Sequence, residues 1–266
     1  MSGEGRKELG FLGHLTELLS RLRTVIYAVV ISTIAVMVVP ISIDFSSLFG
    51  GNPWYQTISS FVITKLQTDF LPADTELLPI SWFAPLEVYL FLSIMLGVLI
   101  SSPVIMYELY KFINPAFHQH ERSLLYPFIV AFTGLFILGF TLGYVVVVPA
   151  TIRAMVLFAK LLGLTPVYGF SEFFSLVMMT LLLCSFIFTF PIYIVLLVKV
   201  GIISTEQIKK NRKYIYVGAV VLIAIIDPEP SLVTEMTLII PIVLLMEMSI
   251  LIARRFEKQR EQAEKQ

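Results

Sequence analysis

Four stretches of this chain run for the length of a bilayer-crossing helix without a single charged side chain: Thr24–Ile43, Val88–Met106, Leu124–Ala150 and Phe173–Val198. A hydrocarbon core about 30 Å thick needs roughly 20 apolar residues in helical form. Inside lipid no water is available to the backbone, so such stretches are confined to helices that satisfy their own hydrogen bonds. Two shorter runs follow, Tyr214–Ile226 with 13 residues and Met236–Ala253 with 18, the latter holding one acid, Glu247. A 13-residue helix rises only about 20 Å, so a crossing there requires local thinning of the bilayer or snorkelling flanks. A re-entrant hairpin made of the last two runs is the alternative.

The composition supports lipid as the solvent. Of 266 residues, 57% are apolar and only 14% charged, where soluble proteins carry about a quarter. Cys184 is the only cysteine, which excludes an intrachain disulfide and a multi-cysteine metal site. Lying inside an uncharged run, it reads as a packing residue. The first 23 residues mix acids and bases with no short apolar core and no small-residue cleavage site, so no removable signal peptide is expected. Pro103, Pro127, Pro149 and Pro191 fall inside or at the edges of the runs. Neighbouring helices in a membrane bundle can satisfy the carbonyls that prolines free. Gly139 and Gly143 put two small residues on one helix face, the pattern that allows close helix approach.

The distribution of basic residues orients the chain. Placing the N-terminus, the 107–123 loop, the 199–213 loop and the tail from Arg254 on one side collects 16 of the 19 lysines and arginines there, leaving Lys65, Arg153 and Lys160 opposite. The positive-inside tendency makes the first side cytoplasmic. Both termini then lie inside and the number of crossings is even. The expected architecture is a single all-α membrane domain over 1–266, with spans near 24–43, 86–106, 124–150, 173–198, 214–226 and 234–253 and a cytoplasmic tail over 254–266. The long external segment carries Trp54, Tyr55, Trp82 and Phe83, suited to the headgroup boundary. Asp227-Pro-Glu-Pro-Ser has the composition of a tight turn between the last two runs.

No phosphate loop, HExxH, GxSxG or Cys–His ligand set is present, so the sequence offers no signature of an enzyme, a cofactor or a metal site. His118 and His120 stand two apart, a spacing that does not share a helix face, and a solvated loop is the favoured reading. Glu17 before the first run and Glu121 in the 107–123 loop are both cytoplasmic in this topology. Together they would offer a cationic, di-arginine ligand charge-assisted and partly bidentate hydrogen bonds. Glu247, an ionisable residue within an apolar run, is either a functional group or a structural hydrogen-bonding partner to another helix.

Specific segments resemble one family. HLTELLSRL is similar to the N-terminal motif of TatC proteins, and SPVIMYELYKFINPAFHQHERSLLYPF to their first cytoplasmic loop with its flanking helices. YVVVVPA resembles the end of the third span, and DPEPSLVTEMTLIIPIVLLMEMSIL the following turn and sixth helix. The matches keep family order from about residue 12 to 252. The resemblance implies six helices in a concave bundle, with the last two short, forming the receptor of the twin-arginine protein translocase. It implies capture of signal peptides on folded cargo and recruitment of TatA-like, and sometimes TatB-like, single-span partners. Export would be driven by the proton-motive force from the cell membrane, in an oligomeric assembly, with no nucleic acid involved. By motif position, Glu17 and Glu121 would meet the twin arginines, Tyr107, Phe112 and Pro115 would shape that site, and Glu229 and Glu247 match acids after span five and in span six. Two positions depart from the pattern. Leu19 replaces an expected arginine, leaving Arg21 for any ion pair with the motif. Thr189 replaces the usual Glu or Gln of span four, so any role there needing a carboxylate is lost, while a hydrogen bond across helices stays available. The competing readings are a secondary transporter for a small solute or ion, and an assembly subunit without transport activity.

Overall fold

A computed structural model describes residues 4–43, 55–72, 75–113, 125–164, 167–200, 203–226 and 232–263. It is dominated by helices, four of which are long and apolar enough to cross a bilayer. The chain divides into two compact units. One holds residues 1–58 and 93–133, the other 59–92 and 134–266.

In the first unit, helix α1 (Glu4–Val38) leads to strand β1 (Pro40–Ile43), which pairs antiparallel with β2 (Tyr55–Thr57). The sequence predicts helix as far as Ile43. The structure ends α1 at Val38, because Pro40 has no N–H to continue the ladder and disfavours helical backbone at Val39 before it. Most of α1 faces outward, with Leu19, Leu22, Ile26, Ile31 and Ile34 all exposed, as suits a helix whose surroundings are lipid. Its close neighbour is the later part of helix α3 (Ala84–Ile113). A Cβ at Gly97 would stand 3.0 Å from the Thr33 backbone nitrogen and 3.1 Å from the Val29 carbonyl oxygen. Glycine at 97 is therefore what lets the two backbones touch. Met106 and Tyr110, one turn apart on α3, are fully buried, and the Tyr110 ring meets Phe128 of helix α4 (Leu125–Leu142) at 5.8 Å.

The second unit contains the rest of the elements. Helix α2 (Ile58–Phe70) and strand β3 (Glu76–Leu78) precede α3, and β3 pairs in parallel with β4 (Val167–Gly169). After α4 comes a π-helical turn, Gly143–Val147, and then α5 (Val148–Leu161). Here the sequence predicts the end of the third span at Ala150, whereas the helix runs on to Leu161, with Pro149 placed just after the π turn. Gly163, at φ 72°, terminates α5, with Leu164 N–H bonding back to the Ala159 carbonyl at 2.9 Å.

Helix α6 (Phe170–Val200) is the core of this unit, with Phe174, Met178, Leu181 and Phe188 fully buried. Along it lies α9 (Leu232–Ala263), which turns Leu238, Ile242, Met246 and Ile250 inward at every fourth position. The short α7 (Thr205–Lys210) and α8 (Arg212–Ile226) connect the two. Pro103, Pro191 and Pro241 all sit inside helices that continue through them. The Gly139–Gly143 expectation holds: a Cβ at Gly139 would be 2.5 Å from the Cys184 carbonyl oxygen, and one at Gly143 would be 3.2 Å from the Cys184 Cβ. Cys184 is buried against this contact, a packing residue as its surroundings implied.

Candidate functional site

At one end of the first unit an arginine is held by two carboxylates. Glu17 and Arg21 lie four residues apart on α1, on one face, with the acid on the N-terminal side as that pairing prefers. Arg21 donates through Nη2 to Glu17 Oε1 at 2.9 Å and through Nη1 to Glu108 Oε2 at 3.0 Å. Glu108 comes from the penultimate turn of α3, between the fully buried Met106 and Tyr110, and is itself only 8% exposed. Two negative charges on one positive leave the cluster with a net charge of about −1. Arg21 therefore takes the ion pair that the missing arginine at Leu19 would have shared; Leu19 is exposed.

Glu108 was not singled out from the sequence. Counting residue 107 as the start of a loop made it one more loop acid, whereas α3 continues to Ile113 and carries it on a packed helix. The signal that could have found it is a carboxylate one residue from an uncharged run, a position where ionisable groups need a partner. Tyr107, next to it, has the Lys111 ammonium 4.2 Å above its ring centroid, a cation–π contact. Phe112 lies in the last turn of α3. Pro115 and Glu121, with His118 and His120, fall outside the described residues, as does Glu229.

The remaining polar positions belong to the second unit. Thr189 on α6 is completely buried and donates to the Phe186 carbonyl of its own helix at 2.7 Å, so its proton is used locally instead of across helices. Glu247 sits inside α9. It accepts from the Tyr216 hydroxyl and pairs with Arg212 at 3.1 Å, tying α9 to α8. Nearby, Glu257 of α9 accepts from the Thr205 backbone N–H at 3.2 Å and from the Thr205 hydroxyl, occupying the first turn of α7.

Long uncharged helices carrying internal prolines, with charge gathered at their ends, define a multi-pass α-helical membrane protein. The family described as Sec-independent protein translocase protein (TatC) matches residues 13–241. The TatC protein of Aquifex aeolicus is 31% identical over 255 residues, covering 94% of this chain and 99% of that protein. The Escherichia coli K12 protein of the same name is 30% identical over 241 residues, covering 91% and 86%. A crystal structure of the twin-arginine translocase receptor TatC superposes with a TM-score of 0.70 at 30% identity, covering 91% of this chain and 99% of that one. The same receptor in a second crystal structure gives 0.71. The chain belongs to the TatC family. That membership leaves the small-solute transporter reading without support.

Proposed function

We propose that this chain is the receptor subunit that captures the twin-arginine signal peptides of folded cargo. Glu17 and Glu121 are the carboxylates that meet the paired guanidinium groups, and Tyr107, Phe112 and Pro115 shape the recess around them. The observation that supports this reading best is the grip on Arg21: Glu17 and Glu108 already hold one guanidinium between them, each through a single charge-assisted hydrogen bond. A cluster near −1 suits a cationic ligand that brings arginines, and Arg21 marks where a ligand guanidinium would sit or compete.

In this reading the chain crosses the cell membrane six times with both termini in the cytoplasm, in one membrane domain, and the excess of basic residues on one side supports that orientation. It recruits TatA-like and TatB-like single-span proteins and works without a cofactor, driven by the proton-motive force. An apolar cavity of about 340 Å³, lined by Ile187 and Phe190 of α6, Tyr214, Ile215 and Gly218 of α8 and Ile242 of α9, supports docking of an apolar partner helix close to Thr189. Glu229, which follows α8 in sequence, and Glu247, which is held to Arg212 and Tyr216 of α8, would set its position for such a partner.

The test is titration of a twin-arginine signal peptide onto the detergent-solubilised protein. Glu17→Ala and Glu121→Ala should each weaken binding roughly tenfold, the worth of a hydrogen bond to a charged group. A Lys-Lys peptide should lose a similar amount, because an ammonium cannot make the bidentate contact. Equal affinity of both variants for both peptides rejects the site.

A further inference from the structure

The apolar helix that contains the π turn is too long for the bilayer it enters. The stretch Tyr126–Leu161 has 36 residues, about 54 Å of helix, against a hydrocarbon core of roughly 30 Å. Tilting does not absorb the difference. Even at about 40°, the upper end of what membrane helices adopt, the core takes up only about 26 residues and is left near residue 151. Most of α5 therefore lies beyond the hydrocarbon. Yet its side chains there are apolar and uncovered: Leu157 is 58% exposed, Phe158 60% and Leu161 71%.

The faces of α5 resolve the conflict. At about 100° per residue, Ile152 and Val156, both buried, mark the side packed on the protein. Arg153 and Lys160, seven apart and both exposed, share one edge of the outward half. Leu157, Leu161 and Phe158 fill the next arc of about 100°. A helix with one face on protein, one cationic edge and one apolar face is built to lie in the headgroup layer, its cations toward phosphate and its apolar face toward the acyl boundary. Such a face in water would be an uncovered patch, and a protein partner alone would leave the cationic edge unexplained.

We infer that α5 is an anionic-phospholipid site, with Arg153 and Lys160 binding lipid phosphate and Leu157, Phe158 and Leu161 buried at the acyl boundary on the side of the membrane opposite the 107–123 loop. Only the side assignment rests on the proposed topology; the juxtaposition on α5 does not.

Two measurements test it. In a Trp54→Phe, Trp82→Phe background, Leu161→Trp is reconstituted into vesicles of 70% zwitterionic and 30% anionic phospholipid (roughly the proportion that gives a strong surface potential). Bromines near the acyl carbonyls should quench its fluorescence about twofold more than bromines deep in the chains, with little quenching by aqueous iodide. Native mass spectrometry should show anionic lipid retained over zwitterionic lipid, falling about fivefold with each of Arg153→Gln and Lys160→Gln. Free quenching by iodide, quenching by neither agent, or unchanged anionic-lipid retention in the double variant overturns the site. Labelling of Leu161→Cys by an impermeant maleimide reports the side separately, since the native Cys184 is buried. A label from the wrong side overturns the topology while leaving the lipid site standing.

Discussion

Arg21 and Glu108 are 87 positions apart in sequence and meet at 3.0 Å, joining α1 to α3 at the end of the first unit where we propose signal-peptide capture. Because Glu108 sits among buried neighbours, the pair is asymmetric. Arg21→Gln leaves a buried carboxylate without its counter-charge and should cost about 2–3 kcal/mol. Glu108→Gln keeps an oxygen that can accept from Arg21 and should cost about 1 kcal/mol or less. Thermal unfolding read by a fluorogenic maleimide on Cys184 measures both, since that thiol is buried until the fold opens. Equal shifts in midpoint would show that burial of Glu108 does not govern the pair.

Gly139 and Gly134 make a matched test of helix approach. A Cβ at Gly139 would meet Ser185 Cα and Phe188 Cβ at 2.9 Å as well as the Cys184 carbonyl, so the α6 backbone would have to move. Gly139→Ala should destabilise by about 1–3 kcal/mol. Nothing lies within 4 Å of a Cβ at Gly134, and Gly134→Ala should be neutral or stabilise by up to about 1 kcal/mol through helix propensity. The same thiol-exposure midpoint should move in opposite directions, or only for Gly139→Ala.

The tie between α8 and α9 should depend on the hydroxyl more than on the ion pair. Arg212 and Glu247 are both more than a third exposed, and such pairs are worth about 1 kcal/mol at most. Tyr216 donates to the same carboxylate, a charge-assisted bond worth about 1.5–3 kcal/mol. Tyr216→Phe should therefore lower the unfolding midpoint more than Arg212→Gln. Glu247→Gln, which retains an acceptor, should be milder than Glu247→Leu.

Asp69 of α2 gives a pH dependence whose sign is fixed. The hydrogen bond from Lys65, at 2.8 Å, and then the one from the Tyr144 hydroxyl hold its carboxyl below the ordinary value of 3.8. The folded state thus favours the ionised form, so the contribution is complete above pH 3.8 and is lost as pH falls through the lower folded value. Wild type should be more stable than Asp69→Asn at neutral pH, and the gap should close in acid. A gap that stays constant from pH 7 to about 3 would rule out this linkage.

The sequence showed its long helices because lipid forces a simple code: an uncharged run of sufficient length has no other backbone solution. It also showed the Gly139–Gly143 contact, which follows from helical spacing alone, while Arg21 was pointed to only by the resemblance, as the base left for an ion pair with the N-terminal motif. What stayed hidden depends on partners far along the chain or on charges that do not end a helix. Arg153 and Lys160 interrupt the apolar run after Ala150 but point outward from a helix that continues. Glu108 looked like a loop residue because the same rule closed α3 too early. Strands β3 and β4, three residues each, pair across about 90 positions and have no local pattern of their own.

The turn at Gly143–Val147 holds one residue more than an α-helical ladder would accommodate over the same rise. That surplus is absorbed inside the turn itself, so the helix beyond keeps its register. Excising a single residue there would restore an unbroken α-ladder over the same rise and leave Ile152 and Val156 packed inward, with Arg153 and Lys160 on their outward edge. One residue of slack is thus stored just ahead of α5, and a lone deletion in the turn would be taken up there instead of being passed on to the surfaces downstream.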